Sequence, residues 1–379
     1  EHEMARKMFR EFAENELEPL AVEIDEEERF PWESVEKFAR YGMMGIPIPK
    51  KYGGAGGDNL MYCIAIEEIS KKCATSSVIV AAHTSLCMGP IMAFGTEEQK
   101  MKWIPDLASG RKIGAFGLTE PGAGTDASGQ QTMAVKDGDE YVLNGTKCFI
   151  TNGDTASTYV VFAVTDKTKG LKGISLFVVE KGTPGFSTGL HEKKMGIRGS
   201  STTDLIFEDC RIPAGNLIGK EGQGWKICMH TLNGARAGVA AQALGIGEGA
   251  LDLAMKYVQE RMQFKKKLSK FQRTQFEIAD MHTKLEAGKL LVYSAACKED
   301  AYNKGDKTQN YAMDSAMAKL FCGEAASDVT RRCVQLFGGY GYIREYQVER
   351  MMRDAKITEI YEGTSEAQRM VISGQLGIK

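Results

Sequence analysis

The sequence predicts an α+β protein in which a helical segment, a β segment and a second helical segment follow one another. Three observations support this fold class. Apolar residues first recur at helical spacing, then alternate within short β-branched and aromatic runs, and finally return to helical spacing over longer stretches. Glycine-rich turn chemistry lies at the changes of period, so we place the domain boundaries there.

The first predicted domain, residues 1–112, is helical. Its apolar residues repeat with helical period in "ARKMFREFAENELEPLAVEI" and in "LMYCIAIEEISKKCATSSVIVAAHTSLCMGPIMAF". The stretch "GTEEQKMKWIPDL" adds a helix start signal.

The second predicted domain, residues 113–218, is an antiparallel β domain. The runs "AFGLT", "EYVLNGTKCFIT", "TYVVFAVTD", "GISLFVVE" and "DLIFEDCRI" have strand composition. They are separated by the turn sequences "DGD", "NG" and "KGTPG". Short strands joined by tight turns favour antiparallel pairing.

The third predicted domain, residues 219–379, is a helical bundle. Long helical patterns follow "GKEGQGW", and small residues recur within them, as in "AGVAAQALGIGEGALDLAMKYVQERM". Small residues at helical spacing allow helices to approach closely, which favours a bundle.

Composition excludes several classes of protein. The chain has 379 residues, 43% hydrophobic and 26% charged, and a formal net charge of -2. It therefore has no basic excess for binding nucleic acid. No apolar run approaches the roughly 20 residues that span a bilayer, and the charged start lacks signal-peptide character. We expect a cytoplasmic protein without membrane insertion.

Cysteines and histidines indicate neither disulfides nor a metal site. The nine cysteines lie singly in apolar stretches, which favours buried, reduced thiols. The five histidines are dispersed, with none at the spacing of a helical metal site. We therefore expect no protein-bound metal.

"GAGTDA", residues 122–127, matches a version of the dinucleotide-binding fingerprint, but its context argues against a Rossmann site. That fingerprint opens a helix whose N-terminus receives the pyrophosphate. Here the chain continues through "SGQQTMAVKDGDEYVLNG", which is hairpin sequence.

The same turn suits a different ligand. "GAFGLTEPGAGTDASG" is a strand leading into a glycine-rich turn with several hydroxyls. Glycines allow close backbone approach and hydroxyls give neutral hydrogen bonds, which suits a flat polar heterocycle; the alternative is an ordinary hairpin loop. In "KCFITNG", Phe149 and Thr151 are two residues apart, so we expect them on one face of a strand.

Two motifs in the last domain leave alternatives open. "QERMQFKKKLSKFQ" is either a solvated basic face or a phosphate-binding patch in which Arg261 supplies a bidentate fork. "VQLFGGYGY" is either a helix end with glycines at positive φ or a place where backbone meets a ligand.

The segment "IYEGTSEAQRM" contains a candidate general base. Thr364 or Ser365 is a good N-cap, which places Glu366 in the first turn of the last helix. Glu362 precedes that cap, in loop backbone freed by Gly363. It is either a surface charge or, if it points into an apolar cleft, a base whose pKa is raised by desolvation.

Taken together, these motifs resemble the acyl-CoA dehydrogenase family over essentially the full chain. The motifs occur in the family's order: "AFGLTEPGAGTDASGQQT", "FITNG", "KKMGIRGS", "FEDCRIP", "IGKEGQGW", "AAQALGI", "VQLFGGYGY" and "MRDAKITEIYEGTSEAQRMV". The short-chain, butyryl-CoA branch of anaerobic bacteria is the most similar. The resemblance implies a helical N-terminal domain, a β-barrel-like middle domain, a C-terminal four-helix bundle, and a homotetramer with FAD at a subunit interface.

The resemblance also implies the residues that bind ligands. Those expected at the FAD are Phe116, Leu118, Thr119, Thr125, Phe149, Thr151, Arg261, Gln263, Phe264, Gln272, Gln335, Gly338, Gly339, Thr364 and Glu366. Those expected at the acyl-CoA substrate are Thr125, Asn233, Arg236 and Gly363. The group from Arg261 to Gly339 would reach the FAD of a neighbouring subunit.

Glu362 falls on the family's catalytic base. It would remove the proton α to the thioester carbonyl while the β-carbon reduces the flavin. Some relatives carry the base on the first bundle helix, at the position of Ala235 here, which has no proton-accepting group.

Three residues depart from the family's pattern. Asn233 replaces a common aspartate ahead of Arg236, Lys265 replaces the usual glycine after Phe264, and Gln347 replaces a proline. These departures concern the grip on substrate and the loop geometry near the FAD.

The function implied is FAD-dependent dehydrogenation of a short-chain acyl-CoA to the trans-2-enoyl-CoA, with electrons passed to an electron-transferring flavoprotein. The alternatives are an acyl-CoA oxidase, an enoyl-CoA reductase, or a flavin-free CoA-binding scaffold. Acyl chain length would depend on how side chains such as Met88 and Phe94 pack.

Overall fold

The computed structural model describes residues 1–378, and helices dominate the first third of the chain. The α-helices of this part are α1 His2–Phe12, α2 Ala21–Glu27, α3 Trp32–Arg40, α4 Asn59–Ser70, α5 Ala74–Ala81, α6 Gly89–Phe94 and α7 Glu97–Ala108. A π-helical segment, Ala82–Met88, joins α5 to α6. Thr96 caps α7 through a reciprocal capping box with Gln99. The predicted helical character of this part is confirmed.

The middle part of the chain forms one eight-stranded sheet. Its strands are β1 Gly114–Gly117, β2 Met133–Asp137, β3 Glu140–Thr151, β4 Thr158–Val164, β5 Ile174–Glu180, β6 Phe186–Thr188, β7 Thr202–Pro213 and β8 Leu217–Ile218. The strand order is β6-β7-β3-β2-β4-β5-β8, and β1 pairs with β4.

The prediction of a wholly antiparallel sheet is wrong at β1. This strand runs parallel to β4, with Gly114 opposite Thr158, and β2 also meets β4 in parallel. A parallel neighbour is possible because β4 is buried along its whole length, which is typical of parallel strands covered on both faces. The remaining pairs are antiparallel.

The last part of the chain is a bundle of long helices. Its α-helices are α8 Gly224–Glu260, α9 Gln272–Asn303, α10 Tyr311–Phe337, α11 Val348–Lys356 and α12 Ser365–Gln375. A short hairpin of β9 Met262–Gln263 and β10 Lys266–Lys267 joins α8 to α9. The order of helical, β and helical domains is therefore confirmed, while the boundaries at 112/113 and 218/219 stay predictions.

The burial of the thiols is confirmed except at one position. All nine cysteines are free, and eight of them are buried, but Cys297 on α9 is exposed. Among residues 1–378, no group of three metal-ligating side chains is placed to hold a metal ion.

One helical stretch, Ala74–Phe94, is long and apolar enough to cross a membrane by length and composition alone. Most of it is buried inside the protein, as in the core helix of a globular domain.

Helix α8 packs against α4 through glycines, which brings the first and last domains together. A Cβ at Gly245 would lie 2.2 Å from the carbonyl oxygen of Glu67 and 2.8 Å from the Cβ of Ser70. Only a residue without a side chain allows this approach.

We expect Gly245→Ala to lower the free energy of unfolding by about 1–3 kcal/mol, because the added methyl overpacks the contact between α8 and α4. Gly374→Ala is the matched control: Gly374 is also helical, and a Cβ there meets nothing within 4 Å. The control should be neutral or stabilising by up to about 1 kcal/mol through helix propensity. Urea unfolding of both variants measures the difference, and equal stabilities would contradict the close-packing argument.

Candidate active site

A cleft of about 340 Å³ lies where the sheet meets the last domain. Its walls come from α5 and the π-helical segment, the turn after β1, the end of β3, α8, and the loop before α12. The lining residues are Val78, Ala82, Leu86, Phe116, Leu118, Thr119, Gly124, Thr125, Ala127, Phe149, Ile150, Thr151, Trp225, Met229, Leu232, Arg236, Tyr361, Glu362, Gly363, Ala367, Met370 and Val371.

Nine of the residues singled out by the sequence meet in this cleft. They are Phe116, Leu118, Thr119, Thr125, Phe149, Thr151, Arg236, Glu362 and Gly363. The cleft thus combines apolar and aromatic walls with three threonines, one arginine and one carboxylate. A mostly apolar pocket of roughly 300–1,000 Å³ with a few convergent polar groups is typical of small-molecule sites.

A buried ion pair holds the turn after β1 in place. The Lys147 Nζ donates to the carbonyl oxygen of Leu118 at 3.1 Å and to the Glu120 carboxylate at 2.7 Å. The Cys148 N–H also donates to the carbonyl oxygen of Thr119, at 2.9 Å. Lys147 is fully buried. The sequence analysis did not identify this lysine, although a lysine inside an apolar strand is a signal that could have revealed it.

Phe149 and Thr151, expected on one face of a strand, follow an irregularity of β3. The pairing of β3 with β7 shifts register between Lys147 and Ile150, and Phe149 has a φ of 58°. Such a bulge redirects side chains. Phe149 and Thr151 both line the cleft, and so does Ile150 between them. The Phe149 ring is 65% exposed, which leaves an aromatic face open at the cleft.

Glu362 lies in the loop before α12. Thr364 caps that helix by accepting a hydrogen bond from the Ala367 N–H, as predicted. Glu362 and Gly363 both have positive φ, 52° and 97°, so the chain turns sharply ahead of the cap. The neighbouring Tyr361 hydroxyl donates to the Gln242 side chain on α8, which anchors the loop to the bundle.

Glu362 is half-buried, and one of its two carboxylate oxygens is enclosed within the cleft. Its Oε2 atom is inaccessible and has no hydrogen-bond partner among residues 1–378. Burial raises the pKa of Glu362 to about 8, against the opposing effect of the positive charges on Lys319 and Arg236. An unpaired, desolvated carboxyl in an apolar cleft is a candidate general base.

Arg236 reaches the cleft from α8. Its Nη1 donates to the Asn233 Oδ1 at 2.8 Å, and its Nε has no partner among the described residues. Asn233, the departure from the family's aspartate, therefore binds the arginine rather than lining the cleft. Burial lowers the pKa of Arg236, although the Glu362 charge offsets part of this effect.

A second cavity, of about 490 Å³, lies at the far ends of α8 and α10. It is lined by Tyr257, Arg261, Gln263, Leu268, Gln335, Leu336, Phe337, Gly338, Gly339, Tyr340 and Ile343. The Arg261 guanidinium lies over the Tyr340 ring, 5.1 Å from its centroid. Gly338 follows the end of α10 with a φ of 62°, and a Cβ there or at Gly339 would meet nothing within 4 Å. The structure thus supports both readings of "VQLFGGYGY", as a helix end and as open backbone.

The hairpin beside this cavity explains the usual glycine at position 265. Phe264 and Lys265 form its two-residue turn, with φ values of 51° and 64°. Two positive φ values favour glycine in such a turn. Lys265 therefore adopts a backbone conformation that costs free energy for a residue with a side chain.

Besides Asn233, four of the predicted site residues line neither of these two cavities. Phe264 is exposed at the hairpin, and Gln272 is exposed at the start of α9. Thr364 is occupied as the cap of α12, and Glu366 is exposed in the first turn of that helix. Their assignment to the cofactor stays a prediction.

Neither Met88 nor Phe94, the side chains named for chain length, lines the cleft itself. Met88 is buried in a hydrophobic cluster that includes Leu118 and Ala127 of the cleft wall, and Phe94 packs edge-to-face on His230 at 5.2 Å, so their effect on chain length stays a prediction. The π-helical segment instead presents Ala82 and Leu86 to the cleft. Its altered helical period determines which side chains face inwards, and this cannot be read from the regular α-helical spacing.

This constellation defines a class of protein. An open aromatic face, neutral hydroxyls and a buried unpaired carboxylate fit an enzyme that holds a flat cofactor and moves a proton.

Comparison with known proteins identifies the family. The acyl-CoA dehydrogenase N-terminal, middle and C-terminal domain models match residues 1–111, 115–210 and 222–377. The chain is 59% identical to a short-chain specific acyl-CoA dehydrogenase of Clostridium acetobutylicum, over 99% of this chain and 98% of that one. It is 53% identical to an acryloyl-CoA reductase (NADH) of Anaerotignum propionicum, over 99% and 94%.

A solved structure gives the same result. This structure concerns the electron transferring flavoprotein of Acidaminococcus fermentans and the mechanism of flavin-based electron bifurcation. One of its chains aligns with a TM-score of 0.96 and 52% identity, over 99% of this chain and 97% of that one.

The chain therefore belongs to the acyl-CoA dehydrogenase family, whose members are FAD-dependent oxidoreductases.

Proposed function

We propose that this enzyme dehydrogenates a short-chain acyl-CoA, similar to butyryl-CoA, to the trans-2-enoyl-CoA, with Glu362 as the catalytic base. The observation that carries the proposal is the buried, unpartnered Oε2 of Glu362 inside an apolar cleft. The short-chain preference is supported by the 59% identical relative named for that substrate class.

Glu362 has the properties that the reaction requires. The hydrogen α to a thioester carbonyl is weakly acidic, so its removal needs a base of raised pKa held without competing partners. Burial provides the raised pKa, and Oε2, which none of residues 1–378 hydrogen-bonds, is available to accept the proton. The Glu362 backbone N–H would donate to the thioester carbonyl and stabilise the charge that develops there.

The cofactor would lie against the open aromatic face. Phe116, Leu118 and Thr119 would contact one side of the ring system, while Phe149 and Thr151 would cover the other side. FAD, when bound, supplies the acceptor for the two electrons that leave the substrate with the β-hydrogen. The apolar cleft walls would exclude water from the base and the substrate.

Anaerobic mixing of the FAD-loaded enzyme with acyl-CoA thioesters of increasing length tests this proposal. We expect butyryl-CoA to bleach the visible flavin absorbance fastest, because the cleft is small and Leu86 forms part of its wall. Faster bleaching by long-chain thioesters would contradict the short-chain assignment. No bleaching by any acyl-CoA would contradict the proposed reaction.

The rate of flavin reduction should rise with pH through a pKa of about 8. Glu362 accepts a proton only when it is ionised, and burial raises its pKa to about 8, so the active fraction increases as pH increases through that value. Stopped-flow reduction of the enzyme at saturating butyryl-CoA between pH 6 and pH 10, roughly two units either side, gives this profile. A rate independent of pH over this range would contradict the assignment of Glu362 as base.

A second candidate function is the reverse reaction, reduction of an enoyl-CoA. It is supported by the 53% identical relative that is named as an acryloyl-CoA reductase (NADH). The same base would then return a proton to the α-carbon. Oxidation of pre-reduced enzyme by acryloyl-CoA or crotonyl-CoA, compared with its reduction by the saturated thioesters, would show which direction is faster.

The proposed partners follow from the same evidence. Electrons would pass to an electron-transferring flavoprotein, which is supported by the aligned chain in the Acidaminococcus structure. The cavity lined by Arg261, Gln335 and Gly338 would receive the FAD of a neighbouring subunit in a homotetramer. Free cysteines fit a reducing, cytoplasmic location.

A further inference from the structure

The loop that carries Glu362 has a backbone that must be held in place. Glu362 and Gly363 are successive residues with φ values of 52° and 97°. Positive φ is unfavourable for a residue with a side chain, so Glu362 would relax to another conformation without external restraint. Such a relaxation would swing its carboxylate away from the cleft.

Two buried side chains bind this loop from different helices. The Lys319 Nζ on α10 donates to the carbonyl oxygen of Gly363 at 2.5 Å. The Gln368 Nε2 on α12 donates to the same oxygen at 2.8 Å and approaches the carbonyl oxygen of Glu362 at 3.4 Å. The loop is therefore clamped at the residue that follows the base.

Lys319 is unusual because it is a buried cation that forms no salt bridge with any of residues 1–378. Its residue is 1% exposed, and the Gly363 carbonyl is its hydrogen-bond acceptor among residues 1–378. Burying an ammonium group is costly unless a charge of opposite sign compensates it. A lysine kept in this position without a paired carboxylate indicates a role other than stabilising the fold.

The charged and titratable groups around the base come from four elements. Lys319 faces Glu362 from α10 and Arg236 faces it from α8, while Tyr62 on α4 and Tyr361 in the loop itself are neutral neighbours. Lys319 also experiences the charges of Glu359 and Glu366. Burial lowers the pKa of Lys319 to about 8, and the Glu362 charge opposes this shift.

We propose that Lys319 is a positioning residue for the base: its contact with the Gly363 carbonyl fixes the loop, and its charge favours the ionised form of Glu362. This inference rests on the proposed function of Glu362. It concerns a group that the sequence comparison with the family did not single out and that does not line the cleft.

Lys319→Met tests the inference, because methionine keeps much of the length and apolar character of the side chain but has neither donor nor charge. We expect kcat with butyryl-CoA to fall about 10- to 100-fold, as for a misplaced catalytic group, with KM little changed. Loss of the positive charge should also move the acid limb of the kcat–pH profile upwards, by about one pH unit or more.

The pH profile of the same variant separates positioning from a structural role. A purely structural lysine would leave the acid limb in place, whether Tm rose or fell, whereas a positioning lysine would move it. If Lys319→Met does not fold, Lys319→Gln provides the same measurement, since it also lacks the charge.

Two reference variants complete the experiment. Lys298→Met removes another lysine that contacts α10, through a 2.6 Å bond from Nζ to Asp314, and should leave kcat and the acid limb unchanged. A Lys319→Met enzyme with wild-type kcat and a wild-type acid limb overturns the inference. A fully active Glu362→Gln enzyme would instead overturn the proposed function, so the two failures are distinguishable.

Discussion

Glu362→Gln should retain FAD and lower the rate of flavin reduction by butyryl-CoA by about 10²- to 10⁴-fold, the contribution typical of a positioned general base. Glutamine has nearly the same shape as glutamate, but its amide cannot accept the α-proton. Stopped-flow bleaching measures the rate, and the flavin-to-protein absorbance ratio verifies that the cofactor is bound.

The control for this prediction is Glu324→Gln. Glu324 is an exposed carboxylate on α10 that pairs with Arg369 on α12. It should retain the wild-type rate because it lies outside both cavities. Wild-type bleaching by Glu362→Gln would show that another group removes the proton.

The same substitution also has a predicted effect on stability. The folded-state pKa of Glu362 is about 8, well above the ordinary value for glutamate of about 4.3. Folded protein therefore binds more protons than unfolded protein between these values, so the wild type loses stability as pH rises through that window. Glu362→Gln should therefore be more stable than the wild type at about pH 8. The difference should shrink towards about pH 4, where Glu362 is largely protonated in both the folded and the unfolded protein.

Lys147→Met should have the largest effect on stability, about 3–5 kcal/mol, because it leaves a buried carboxylate without its partner. Burial acts to raise the pKa of Glu120, but the Lys147 charge and hydrogen bonds outweigh it, so that the pKa stays below its ordinary value. The variant also removes the bond to the Leu118 carbonyl, so we expect weaker FAD binding. Thermal unfolding and the flavin-to-protein ratio measure the two effects.

The double variant Lys147→Met/Glu120→Gln is the control for this prediction. It removes the negative charge together with the lysine, and the one side-chain oxygen left at position 120 can keep one of the two hydrogen bonds that Glu120 accepts from the Gln131 and Thr132 N–H groups. We expect it to recover part of the lost stability but not the bond to Leu118. A single variant as stable as the wild type would show that the ion pair contributes little.

Local features of the site were predictable from the sequence. Thr364 caps α12 as predicted, because a hydroxyl at that position satisfies a free backbone N–H whatever the tertiary contacts. The positive φ of Gly338 follows likewise from the end of a long apolar helix. The turn residues Phe116, Thr119 and Thr125 meet in the cleft because one short segment of chain carries them all.

Other features depended on packing between distant segments. Glu359 is half-buried, because the turn that carries it packs against α10. Lys319 falls on the helical face of Ala316, Cys322 and Ala326, all buried, and this pattern was a signal that its side chain points inwards. What it contacts there was not readable from α10 alone.

The order of helical, β and helical domains and the positions of caps and turns were readable from the sequence, and the resemblance to a family indicated Glu362 as the candidate base. Periodicity and capping act over a few residues, so they are written in the local sequence. Three features were visible only in the folded protein: the bulge of β3 beside the exposed Phe149, the support that Lys147 gives the turn after β1, and the contact of Lys319 with the loop of Glu362. These contacts join residues that are far apart in the chain. Once the domains have packed closely, each buried polar group has few hydrogen-bond partners within reach, so the fold selects which contact forms.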